Sequence, residues 1–204
     1  MYLYSPELLD WDDNPYEIKK IGMKDNELFL KKINDLFGYD KTFKKHIEDE
    51  YKEKYIFFEE SFFWTIGNNR DESLVEHISD VVGKKNFIIK LHPRNLINRF
   101  EDKGYNTNQI HGIPWELIAI NLPPEDNKVF LTISSGAVLN YRFLKSLSFK
   151  TILLYKCVGD YYGHIDKNLI EWFERYKKTY SEALYIPETI DEMDELLNSF
   201  SKEI

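Results

Sequence analysis

Lys90, His92 and Pro93 close an apolar run, Asn86-Phe87-Ile88-Ile89. A run of that kind fills a buried parallel strand. A lysine there can pair with a phosphate, and a histidine can donate a hydrogen bond or a proton. Side chains alternate along a strand, so Lys90 and His92 project to the same side. Core packing disfavours lysine, which leaves a ligand as the better reason for the pair. Pro93 then ends the strand by withholding its N–H. Two further segments carry matching chemistry. In Gly112-Ile113-Pro114-Trp115-Glu116 a carboxylate follows a loop and can accept from ribose hydroxyls. Ser134-Ser135-Gly136 follows the apolar run Val129 to Ile133, where small hydroxyl residues can face an anion. Taken singly, each has a plain structural explanation: a satisfied histidine, a first-turn glutamate, a serine N-cap. Taken together, they point to an anionic, nucleotide-like ligand.

The elements that must position these residues alternate along the chain. Strands are expected at Tyr55 to Phe58, Phe87 to Leu91, Val129 to Ile133, Thr151 to Tyr155 and Ala183 to Ile186. Helical spacing marks Ser73 to Val82, Pro114 to Ile120, Ala137 to Leu147, Asn168 to Tyr180 and Ile190 to Phe200. Such alternation predicts an α/β fold, a Rossmann-like parallel sheet with helices on both faces. Ligands of such sheets bind at the carboxyl ends of the strands. Glu59, Glu60 and Ser61 follow the first strand, so Ser61 is a further candidate for the crevice. Adjacent carboxylates point to opposite sides, so Glu59 and Glu60 are not expected to act as a pair. Residues 1–50 read as an arm: an irregular stretch, then a helix from Asn26 to Phe37 capped by Gly38, then a charged helix and loop. Residues 51–204 form the domain.

Composition excludes several classes. With 204 residues and 43% hydrophobic side chains the chain can build a proper core. Its formal charge of −8 is a poor match to nonspecific nucleic-acid binding. No 18-residue apolar run spans a membrane, and the N-terminus lacks a signal-peptide pattern. Peripheral attachment to the inner face of a membrane stays open. The lone Cys157 cannot form an internal disulfide and fits a reducing, cytoplasmic setting as a buried thiol. His46, His77, His111 and His164 show no metal-ligand spacing. G-x-G-x-x-G, the Walker loop and G-x-S-x-G are all missing, which disfavours dinucleotide, P-loop and serine-hydrolase readings.

The ordered set Lys90-x-His92-Pro93, Glu116 and Ser134-Ser135 resembles the donor-binding domain of bacterial GT-B sialyltransferases. Glu116 follows His92 by 24 positions and Ser134 by 42, separations similar to the family's. The resemblance covers roughly residues 55–160. It is nearest to the lipooligosaccharide and capsule sialyltransferases of glycosyltransferase family 52. It implies inverting transfer of sialic acid from CMP-sialic acid to a sugar hydroxyl of a surface glycan, with no metal and no other cofactor. By that resemblance His92 contacts the CMP phosphate as general acid and Lys90 neutralises it. Glu116 holds the ribose, Ser134, Ser135 and Gly136 meet the phosphate, and Pro93 fixes the turn.

The family's catalytic base lies in an N-terminal Rossmann domain with no counterpart in residues 1–204. The expectation is therefore a C-terminal donor-binding half, inactive in transfer by itself. Its partners would be a nucleotide-sugar donor, a glycan acceptor, and either a separate N-terminal domain or a second copy as homodimer. Two rivals remain at this level. One is a related GT-B transferase using CDP-glycerol or another nucleotide sugar; the other is a non-catalytic interaction domain derived from such an enzyme.

Overall fold

A computed structural model describes residues 2–3, 19–20, 25–61, 70–95, 97–110 and 112–202. Residues 1, 4–18 and 21–24 of the expected arm, and His111, lie outside them. A short parallel pair joins β1 (Tyr2–Leu3) to β2 (Lys19–Lys20). Helix α1 (Glu27–Phe37) follows. The Asn26 side chain accepts from Phe29 N–H at its start, and Gly38 in the left-handed region stops it, as the sequence predicts. A π-helical turn (Tyr39–Phe43) leads into α2 (Lys44–Glu50). Tyr39 and Ile47 from this stretch are buried in the same core as the sheet.

The main sheet has six strands, all parallel: β3 (Tyr55–Phe58), β4 (Phe87–Lys90), β5 (Asn106–Thr107), β6 (Val129–Thr132), β7 (Lys150–Leu153) and β8 (Leu184–Tyr185). Their order is β5-β4-β3-β6-β7-β8. The chain steps outward from β3 through β4 to β5, then returns to the other side of β3 and steps outward again. This is a Rossmann-like topology, as expected, with its order reversing between β3 and β6. Phe58 pairs in register with Lys90 on one side and Thr132 on the other. The carboxyl ends of three adjacent strands therefore stand level.

Both faces of the sheet are covered. Tyr55 reaches one face, where its hydroxyl meets Ser201 of α7 (Ile190–Ser201). Helix α3 (Arg70–Val82) packs against α7 there. Phe58 and Phe130 reach the other face and pack edge-on against Trp115 of α4 (Trp115–Asn121). Parallel strands buried on both sides need continuous apolar runs, and Tyr55–Phe58 and Val129–Leu131 are wholly buried.

Two elements depart from the sequence reading. β5 is an additional strand of two polar residues, made only by pairing Ile88 with Asn106 and Ile89 with Thr107. The helix expected over Ala137 to Leu147 is short: α5 covers Ala137–Asn140 and tightens into a 3-10 turn over Tyr141–Phe143. The cause is Arg142, whose buried guanidinium donates to Phe149 O and Glu182 O. The Tyr141 hydroxyl accepts from Phe149 N–H. A helix continuing to Leu147 would carry Phe149 away from both side chains. The long helix α6 (Lys167–Thr179) completes the layer.

Candidate functional site

The carboxyl ends of β4, β3 and β6 bring Lys90, His92, Glu60 and Ser134 to one edge of the sheet, at the point where strand order reverses. Open α/β sheets bind ligands in such a crevice.

Lys90 is the last residue of β4 and half-buried. Its ammonium lies 5.9 Å from the centre of the Phe58 ring. It makes no hydrogen bond or ion pair with any described residue. Burial lowers its pKa below the ordinary lysine value, and the carboxylates of Glu116, Glu50 and Glu59 offset part of that. A desolvated cation at the carboxyl end of a strand, with no hydrogen-bonding or ion-pair partner among the described residues, is what an anionic ligand needs.

His92 opens a β-turn. Its carbonyl accepts from Asn95 N–H at 2.9 Å, and Pro93 supplies the fixed φ of the turn's second position. The imidazole Nδ1 accepts from Arg94 N–H at 3.1 Å. That bond assigns the ring proton of the neutral form to Nε2. Burial, then the charges of Arg94 and Lys90, hold the His92 pKa below its ordinary value. The imidazole is therefore neutral at pH 7 and still offers one N–H.

Glu116, in the first turn of α4, accepts from the Asn140 side chain at 3.0 Å through Oε1. This bond joins α4 to the end of α5 and fixes the carboxylate in the field of Lys90. Its other oxygen makes no hydrogen bond with a described residue.

The Ser134-Ser135-Gly136 turn differs from its expected form. Glu60 Oε1 accepts from Ser134 N–H at 2.7 Å and from the Thr132 hydroxyl at 2.8 Å. Thr132 Oγ1 in turn accepts from Ser135 N–H at 3.1 Å. The N–H groups of Ser134 and Ser135 are thus satisfied inside the protein. The four-residue α5 adds no helix terminus of consequence, so an anion would meet side chains here. Glu60 is only 7% exposed. Burial raises its pKa from 4.5 to about 7, against the lowering effect of the Ser134 and Thr132 bonds. Gly136 has ordinary right-handed helical dihedrals, and a Cβ there would meet only the Trp172 ring, at 4.0 Å. The backbone does not demand a glycine at this position.

Glu59 faces the opposite way, as strand alternation predicts. It accepts from His92 N–H at 2.8 Å and from Arg99 Nε at 2.9 Å. Arg99 also grips Asp71 and approaches Glu72 at the start of α3. Burial opposes its charge, but Asp71 and Glu59 outweigh burial and hold the guanidinium pKa above its usual value. This network ties the His92 turn to α3, and it places carboxylates where a dinucleotide fold would present a bare helix N-terminus. Ser61 is half-buried just past Glu60, next to residues 62–69, which lie outside those described.

Sequence reasoning missed the roles of Glu60, Arg99 and Asn140. Glu60 carries a faint signal, a carboxylate directly after a fully buried strand; Arg99 and Asn140 carry none without the third dimension. Among the described residues no three His, Cys, Asp or Glu side chains are grouped to hold a metal, and no helix is long and apolar enough to cross a membrane. Comparison of the chain with protein-family models, with curated proteins and with solved structures returned no match.

Proposed function

We propose that the chain is the nucleotide-sugar donor-binding half of an inverting GT-B glycosyltransferase of the sialyltransferase kind, taking CMP-sialic acid for transfer to a glycan hydroxyl. The observation that carries the reading is Lys90: a half-buried ammonium with no hydrogen-bonding or ion-pair partner among the described residues, at the carboxyl end of the strand beside β3. His92 and Glu116 flank it.

The reaction's electrostatics match this arrangement. Departure of CMP leaves negative charge on the phosphate, and aimed donors in a water-poor crevice lower that barrier. Lys90 supplies the charge. His92 donates from Nε2 as a neutral group, and the growing phosphate charge raises its pKa toward protonation. Glu116 offers its second oxygen to the ribose hydroxyls. The hydroxyls of Ser134 and Ser135 are their contribution, since their own N–H groups are already engaged. A base beside the acceptor hydroxyl is also required. Glu59 and Glu60 are both occupied within the fold, so that group is expected from a partnering domain.

Thermal unfolding with CMP, CDP, UDP and GDP tests the reading, because a ligand of the native state raises Tm by mass action. CMP should give the largest shift. Glu116→Ala and Lys90→Ala should each weaken CMP by about tenfold or more, the usual cost of losing a charged hydrogen bond of roughly 1.5–3 kcal/mol. No shift with any nucleotide would overturn it.

A further inference from the structure

Glu60 touches both halves of the crevice. Its backbone carbonyl accepts from the Asn95 side chain at 3.1 Å, which ties it to the His92 turn. Its carboxylate holds Ser134 N–H directly and Ser135 N–H through Thr132.

Among the described residues, no cation forms an ion pair or hydrogen bond with the carboxylate. Thr132, Ser134 and Ser135 from β6 and its turn are uncharged. From α3, Asp71 adds a negative field that further raises the Glu60 pKa. Arg99, from the loop after β4, is bound to Asp71, Glu59 and Glu72. Its neighbour Glu59 faces the Arg99 side. A phosphate arriving at Ser134 and Ser135 would bring further negative charge beside a buried group with no ion-pair partner among the described residues. Like charges in one site cannot both remain ionised at low cost. The relief the geometry offers is a proton.

We propose that Glu60 is the positioning residue of the Ser134–Gly136 turn, and that a phosphate-bearing ligand binds there together with one proton taken up by the Glu60 carboxylate. The inference rests on the nucleotide reading above. The balance is simple: solvent supplies the proton, the carboxylate becomes a carboxylic acid, and no other bond changes. Oε1 goes on accepting from Ser134 and Thr132, so the turn keeps its shape while its charge is cancelled. The pKa of about 7 in the unliganded protein leaves the group mostly ionised at pH 8 and ready to respond.

Calorimetry of CMP binding at pH 8, in two buffers of different ionisation enthalpy, counts the protons. Wild type should take up roughly half a proton or more per CMP, and Glu60→Gln roughly 0.2 or less. The small remainder belongs to His92, whose depressed pKa leaves little to titrate at this pH. A merely structural role for Glu60 would change affinity and leave the proton count alone. Equal uptake in wild type and Glu60→Gln would overturn the inference while leaving the nucleotide reading intact. Absence of CMP binding by wild type would overturn both. If Glu60→Gln fails to fold, the wild-type protein still decides the matter. Its CMP affinity should fall up to tenfold per pH unit between pH 7.5 and 8.5, above the phosphate's own second pKa of about 6, and the same fall should persist in His92→Ala. A flat affinity across that interval would refute the coupling.

Discussion

Replacing Glu60 by glutamine should change the pH dependence of stability, whatever the ligand. The folded pKa of about 7 lies above the unfolded value of 4.5. Between those values the folded protein keeps a proton that the unfolded chain has lost. Stability therefore falls as pH rises through that window and levels off above it. Every pH unit that separates the folded from the unfolded pKa is worth about 1.4 kcal/mol, so full titration costs the native state about 3 kcal/mol. Glutamine keeps an acceptor for Ser134 N–H and the Thr132 hydroxyl but cannot ionise. Any fixed cost of the amide is the same at pH 5 and pH 8. The informative quantity is thus a difference of differences: Glu60→Gln should gain about 2–3 kcal/mol on wild type between pH 5 and pH 8. Urea unfolding of both proteins at the two pH values measures it. Wild-type and variant midpoints that move in parallel from pH 5 to pH 8 would show that Glu60 does not titrate in this range, and would refute a buried carboxylate without a counter-ion.

Other substitutions probe the frame around the crevice. Lys128 is 2% exposed, and its ammonium donates to the carbonyls of Tyr51, Lys52 and Glu53 at the end of α2. Lys128→Met should cost about 3 kcal/mol in urea unfolding by leaving buried carbonyls unpaired. Arg99→Ala leaves Glu59 and Asp71 buried without their counter-charge; a loss of about 3–5 kcal/mol in urea unfolding at pH 7 is expected. Asn140→Ala frees Glu116 Oε1 and should weaken CMP severalfold in calorimetry while moving Tm little. Leu36 of α1 is 80% exposed, so Leu36→Lys should change the urea midpoint by no more than about 0.5 kcal/mol equivalent.

The sequence displays what is buried on both sides and conceals what is held by long-range polar contacts. β3 and β6 are readable because every residue from Tyr55 to Phe58 and from Val129 to Leu131 must be apolar. β5 is unreadable because Asn106 and Thr107 have no strand character of their own and become a strand only beside β4. Ala137 to Leu147 has helical spacing, yet Arg142 and Tyr141 find better partners by turning inward. The placement of Lys90 and His92 at one edge follows from strand alternation and the proline turn. The satisfaction of Ser134 N–H by Glu60 does not, since the two residues lie 74 positions apart. Local pattern cannot rank a buried carboxylate against an incoming phosphate for the same donor.

The central position of β3 also governs the order in which the sheet can be built. β4 follows within about one helix, but β6, its other neighbour, pairs Phe58 with Thr132 across 74 positions. During synthesis at about 5–20 residues per second, the edge of β3 that β6 will cover stands open for roughly 4–15 s. Throughout that interval the growing chain presents four consecutive apolar residues on an unpaired parallel edge. A strand from elsewhere could occupy it, and closing so long a loop is slow compared with forming the local turns. The crevice residues on β6 and its turn arrive only with that closure. The ligand edge thus cannot take shape until β6 has been made, and the stage just before that is the most exposed to mispairing.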